Sequence, residues 1–101
     1  MKAKIWNLRK WVKETNPATL DSLLGDALVG AGFTVLKTTE HRFTPQGYTK
    51  LWLLCESHCA AHTFPEEGKT YVELSSCNKK MFRTFVKSGI VDRLNRPNRG
   101  G

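Results

Sequence analysis

No segment of this 101-residue chain approaches the ~20 consecutive apolar residues that a membrane-spanning helix requires. The opening Met1-Lys2-Ala3-Lys4-Ile5-Trp6 is not followed by the apolar stretch of a secretory leader, so a cytoplasmic location without membrane contact is expected. Cysteine is scarce and odd in number, at three, which argues against a disulfide framework and leaves reactive or buried thiols. Acidic side chains are also few, with 9 Asp and Glu against 16 Lys and Arg and a net charge of +7. The basic residues cluster near the start (Arg9, Lys10, Lys13) and toward the end (Lys79, Lys80, Arg83, Lys87, Arg93). That pattern reads as a solvated basic surface, and nucleic acid is not an expected partner. Repeats, low-complexity runs and internal linkers are absent, so residues 1–101 are read as one domain. With 40% hydrophobic residues it can bury roughly 60 to 70% of its unfolded surface without staples.

Residues 17–31 carry Leu20, Leu23, Leu24, Ala27, Leu28 and Ala31 on one face of a helix, with Pro17 in the first turn and Gly30 and Gly32 as stops. Thr34–Thr39 is a β-branched strand candidate, and Pro45-Gln46-Gly47 is a turn before the apolar strand Tyr48–Cys55. This places Ser57 at the end of that strand. Residues 59–64 and 69–76 read as two further strands around Pro65-Glu66-Glu67-Gly68, and alternation puts His62 on the face of Ala60 and Phe64. Residues 79–88 predict a second helix ended by Gly89, and Ile90–Leu94 a final strand. The tail from Arg96 is polar. The first fifteen residues fit either a helical stripe (Ile5, Leu8, Trp11) or a strand. These elements point to an α+β fold, a two-layer sandwich of a mainly antiparallel sheet with two helices on one face.

The chemistry-bearing residues concentrate in Glu56-Ser57-His58, His62-Thr63-Phe64-Pro65-Glu66 and Cys77. Singly, each has an ordinary explanation: a turn hydroxyl, a satisfied histidine in a strand, a core aromatic. Their joint spacing is another matter. The segment from His41 to Cys77 resembles the small prokaryotic type of S-adenosylmethionine decarboxylase, a pyruvoyl-dependent family whose run of Glu-Ser-His, His-Thr-aromatic-Pro-Glu and a downstream cysteine is matched here residue by residue.

That resemblance implies a proenzyme that makes its own cofactor. The Ser57 hydroxyl would attack the carbonyl carbon of Glu56, convert the peptide bond to an ester, and eliminate to a dehydroalanine that hydrolyses to a pyruvoyl group, cutting the chain into 1–56 and 57–101. His62 matches the base for the Ser57 α-proton, Thr49 the processing hydroxyl beside the oxyanion, and Cys77 the acid that reprotonates the product carbon in turnover. Phe43 and Phe64 match the aromatic pair that grips the adenosyl group and faces the sulfonium, and Glu66 the carboxylate that holds ribose hydroxyls. Glu56 contributes the upstream side of the cut and negative charge that suits a cationic substrate. The implied product is decarboxylated S-adenosylmethionine for spermidine synthesis, and the implied assembly is a homodimer with site residues contributed across the interface. Two positions depart from the family pattern: Phe64 stands where Trp or Tyr is common, and Asn78 where glycine commonly follows the cysteine.

Three other readings stay open on the residues alone. A pyruvoyl-dependent decarboxylase of this fold could act on arginine or ornithine, with only Phe43 and Phe64 favouring an adenosyl substrate. Cys55-x-x-His58 overlapping Cys59-x-x-His62 has zinc-type spacing, but in a strand the four side chains point to alternate faces, so no metal site is expected. A catalytically silent partner subunit or basic binding module would have no use for a cut at Ser57.

Overall fold

A computed structural model describes residues 3–96. Five strands form one antiparallel sheet: β1 (Trp6–Val12), β2 (Val35–Arg42), β3 (Tyr48–Leu54), β4 (Ser57–Phe64) and β5 (Lys69–Ser76), in the spatial order β1-β5-β4-β3-β2. Three helices, α1 (Pro17–Gly30), α2 (Lys79–Lys87) and α3 (Ile90–Asn95), supply the second layer. The opening residues resolve to a strand because Trp6 to Val12 pair along the whole of β5.

The N-terminus of α1 is set by Asn16, whose Oδ1 accepts from the Thr19 amide at 3.0 Å, and by Pro17 in the first turn. Leu20, Leu24 and Leu28, one turn apart, are fully buried on its inner face. They pack with Phe85 of α2, with Ile90 and Leu94 of α3, and with Val12, Trp52, Leu54, Cys59, Ala61, Val72 and Leu74 of the sheet. All helices therefore cover one face, and the core lies between them and alternate strand residues. On β4 the covered positions are Ser57, Cys59, Ala61 and Thr63. Ala60, His62 and Phe64 point the other way. That second face carries no helix among the described residues, and leaves Trp11, Leu51, Leu53 and Phe64 exposed.

Two expectations are corrected. Ile90–Leu94 is a helix and not a strand: the Arg93 amide donates back to the Gly89 carbonyl at 3.0 Å, Ile90 and Leu94 are both buried, and the Leu94 carbonyl accepts from the Glu14 amide at 2.9 Å. The sheet layer is accordingly covered by three helices rather than two. Ser57 is not the end of the strand begun at Tyr48, because Cys55 and Glu56 form a tight turn and Ser57 opens β4. Asn78 has φ −100°, an extended backbone that any residue adopts, and its Oδ1 caps α2 by accepting from the Met81 amide. Beyond Arg96, the expected polar tail lies outside the described residues. No helix among the described residues is long and apolar enough to cross a membrane.

Candidate active site

The central strand β4 carries both the serine and the histidine, but at opposite ends and on opposite faces. Around its far end, Phe43, Thr49, His62, Phe64 and Glu66 line one cavity of about 310 Å³ together with Gln46, Gly47 and Thr63. Thr49 stands opposite His62 in the β3–β4 register, and its Oγ1 lies 3.1 Å from His62 Nδ1. On the other side of the imidazole, Tyr71 of β5 stacks at 6.2 Å and 22° between planes. Trp11 of β1 continues the row, 5.4 Å from the Tyr71 ring and 5.7 Å from Phe64. His62 is thus clamped between a hydroxyl and an aromatic ring on the open face. Tyr71 donates to Glu73 Oε1 at 2.8 Å, a bond that raises its pKa.

Around the near end, Glu56, Ser57 and Cys77 line a smaller cavity of about 130 Å³ with Ile5, His58, Ser75 and Ser76. Glu56 holds φ at 59°, a left-handed conformation that a side chain with a Cβ adopts at a cost of order 1 kcal/mol. Leu54 pairs with Ser57, so the connection has only two residues, and the second of them, Glu56, takes the left-handed conformation that reverses the chain. Cys77 Sγ–H points at the Glu56 carbonyl oxygen at 3.0 Å. Ser57 is buried, and its Oγ–H donates to Ser76 Oγ at 2.8 Å.

The eight residues singled out from the sequence therefore form two groups, five at one end of β4 and three at the other. His62 is not beside Ser57 within one chain: five residues of strand separate them by ~17 Å at about 3.3 Å per residue. The odd offset also puts them on opposite faces. Cys55 lies in the turn before β4, His58 and His62 take the open face and Cys59 the core side; among the described residues no group of three or more His, Cys, Asp or Glu side chains is placed to hold a metal ion. Cys59 is wholly buried in the core, and burial pushes its thiol up to about 12.

Sequence reasoning passed over Ser76, Tyr71 and the strain at Glu56. The first two were within reach. The turn at Pro65–Gly68 sets the β4–β5 register, and counting back from Phe64 opposite Lys69 brings Tyr71 to His62 and Ser76 to Ser57. Nothing in Cys55-Glu56 signals a two-residue turn, since neither residue is one that such turns favour.

A family model for S-adenosylmethionine decarboxylase matches residues 7–97. The chain belongs to that family. It is 33% identical to an S-adenosylmethionine decarboxylase proenzyme of Methanococcus aeolicus, over 88% of this chain and 82% of that protein. A proenzyme of the same name from Prochlorococcus marinus is 43% identical over 64% of this chain and 52% of its own length. The crystal structure of the adenosylmethionine decarboxylase from Aquifex aeolicus shares the fold, with a TM-score of 0.73 at 24% identity over 97% of this chain and 86% of that one. These matches give no support to an arginine or ornithine decarboxylase, a silent partner or a basic binding module.

Proposed function

We propose that this chain is the precursor of a pyruvoyl-dependent S-adenosylmethionine decarboxylase that cuts itself between Glu56 and Ser57 and works as a homodimer. The observation that carries the reading is the gathering of Glu56, Ser57 and Cys77 at one end of β4 and of Phe43, Thr49, His62, Phe64 and Glu66 at the other. Family membership sets the reaction class, and the two half-sites supply its parts.

At the near end, Ser57 Oγ attacks the Glu56 carbonyl carbon. The Oγ–C bond forms, the C–N bond to Ser57 breaks, and the hydroxyl proton ends on the released amine, so the product is an ester isomer of the chain. Breaking this bond releases the left-handed strain at Glu56, and the Cys77 thiol donates to the oxygen on which negative charge builds. His62, held by Thr49 and Tyr71, removes the Ser57 α-proton while the ester Cβ–O bond breaks and Glu56 leaves as a carboxylate; the dehydroalanine that remains takes up water and releases ammonia. The pyruvoyl group so derived from Ser57 supplies a carbonyl electron sink for decarboxylation. In turnover Phe43 and Phe64 hold the adenosyl and sulfonium groups, Glu66 the ribose hydroxyls, and Cys77 returns a proton to the product carbon. The acidic Glu56, Glu66 and Glu67 reverse locally the repulsion that a +7 chain exerts on a cationic substrate. The product feeds spermidine synthesis.

A general base works only within hydrogen-bond reach, and one chain keeps His62 far from its own Ser57. A second copy laid on the open face in antiparallel sense would carry its far-end residues to the near end of β4, where the Ser57 backbone, unlike its buried hydroxyl, is open to approach from that face. The exposed Trp11, Leu51, Leu53 and Phe64 on that face suit such burial. A cytoplasmic setting agrees with three cysteines that are all unpaired.

Intact-mass spectrometry of the purified protein tests the processing. Two fragments, 1–56 and a 57–101 piece beginning with pyruvoyl, are expected, and Ser57→Ala should stay a single chain. A wild-type chain still whole after long incubation ends the proposal. Carbon dioxide released from S-adenosylmethionine, and not from arginine or ornithine, tests the substrate.

A further inference from the structure

We infer that Ser76 is a second working hydroxyl of the self-cleavage step, holding the Ser57 nucleophile for attack on Glu56; the inference rests on the processing reading above. Ser76 is the cross-strand partner of Ser57 and is 1% exposed. Its Oγ accepts the Ser57 hydroxyl at 2.8 Å and also the Asn78 amide N–H at 2.9 Å, while its own hydroxyl turns toward the Asn78 carbonyl at 3.4 Å. The acceptor is therefore pinned before it meets Ser57. Asn78 in turn caps α2 through Met81, so the chain of contacts runs from the nucleophile into the helix layer.

A serine hydroxyl at its ordinary pKa is a weak nucleophile, and a fixed acceptor on its proton both restricts its rotation and raises the electron density at Oγ. The step it assists is the acyl shift: Oγ bonds to the Glu56 carbonyl carbon, the C–N bond breaks, and the proton held on the Ser76 side passes to the new amine. Nothing is oxidised and no co-reactant is consumed. Ser76 has no such part afterwards, because Ser57 loses its hydroxyl when the chain is cut.

Ser76→Ala should self-cleave roughly tenfold or more slowly, the cost of one hydrogen bond on the reacting atom. Ser76→Cys keeps the shape but is a poor acceptor, and should also be slow. Folding is read separately in the uncut Ser57→Ala background, where adding Ser76→Cys should leave the melting temperature nearly unchanged. Hydroxylamine cuts an ester but not a peptide bond, so it locates the blocked step. It should release fragments from His62→Ala, which stalls after the ester, and fail to accelerate Ser76→Ala. Cleavage of both Ser76 variants at the wild-type rate overturns the inference while leaving self-processing intact. So does hydroxylamine restoring Ser76→Ala, since the ester would then form without it. A wild-type chain that never cleaves overturns both readings together.

Discussion

Cys77 Sγ lies 3.0 Å from the carbonyl oxygen of Glu56, the residue whose φ of 59° marks the turn before Ser57. The family resemblance assigns this cysteine to turnover, but it lies beside the peptide bond that is proposed to break. A thiol is a weak donor, and one oxyanion contact of this kind contributes a modest share. Cys77→Ala is therefore expected to cut itself more slowly, by about tenfold or less, as well as to lose turnover. A cleavage time course followed by mass separates the two effects. Unchanged cleavage with lost turnover would confine Cys77 to the later chemistry.

If each site takes Ser57 from one protomer and His62 from the other, two inactive variants should rescue one another. Ser57→Ala and His62→Ala, each uncut alone, form mixed dimers when co-expressed. In those dimers the intact Ser57 meets an intact His62. Fragments carrying the His62→Ala change should then appear on a denaturing gel. Their absence, with wild-type protein processed in parallel, would count against a shared site.

Phe43 is half exposed, packs edge-on to His41 at 4.5 Å between centroids, and borders the cavity that also holds Phe64 and Glu66. Losing a ring that stacks on a base costs about 1 to 3 kcal/mol. Phe43→Ala should raise the KM for S-adenosylmethionine roughly ten- to a hundredfold and leave self-cleavage nearly intact. Equal KM values in the variant and the wild type would remove Phe43 from the binding site.

The three thiols should separate by reactivity. Cys55 and Cys77 are exposed and should react with a thiol reagent in the folded protein, whereas Cys59 should react only on unfolding. The same burial makes stability pH-dependent on the alkaline side. The folded pKa of Cys59, about 12, lies above its ordinary 9.0, so its stabilising contribution is fully present below pH 9 and is lost as pH rises through that interval. Tyr48 acts in the same sense, its pKa raised first by burial and then by its bond to Glu40. Urea midpoints of the uncut Ser57→Ala protein should be flat near neutrality and fall above pH 9, with a slope of at most about 1.4 kcal/mol per pH unit per group. Cys59→Ala should soften that fall.

The sequence by itself determined the elements whose period is local and strong. Leu20, Leu23, Leu24, Ala27 and Leu28 can all turn to the core only in a helix, because their mixed even and odd offsets would fall on both faces of a strand, and the apolar run from Tyr48 reads as a strand. It also determined the reaction family, because the spacing from Glu56 to Cys77 is a property of the chain and not of its folding. Short segments were less legible. Ile90–Asn95 carries too few residues to distinguish periods of two and four, and packing on β1 beside Leu94 and Glu14 decided for a helix. The opening residues became a strand only because β5 offered a free edge. The site was legible as a set of residues but not as a place. Offsets of five and twenty do not say which side chains meet, since in a sheet that depends on register and on which face each residue takes. Register put Ser76 behind Ser57 and Tyr71 behind His62, alternation sent the serine and the histidine to opposite faces, and the tight turn between Leu54 and Ser57 set Glu56 in the left-handed region.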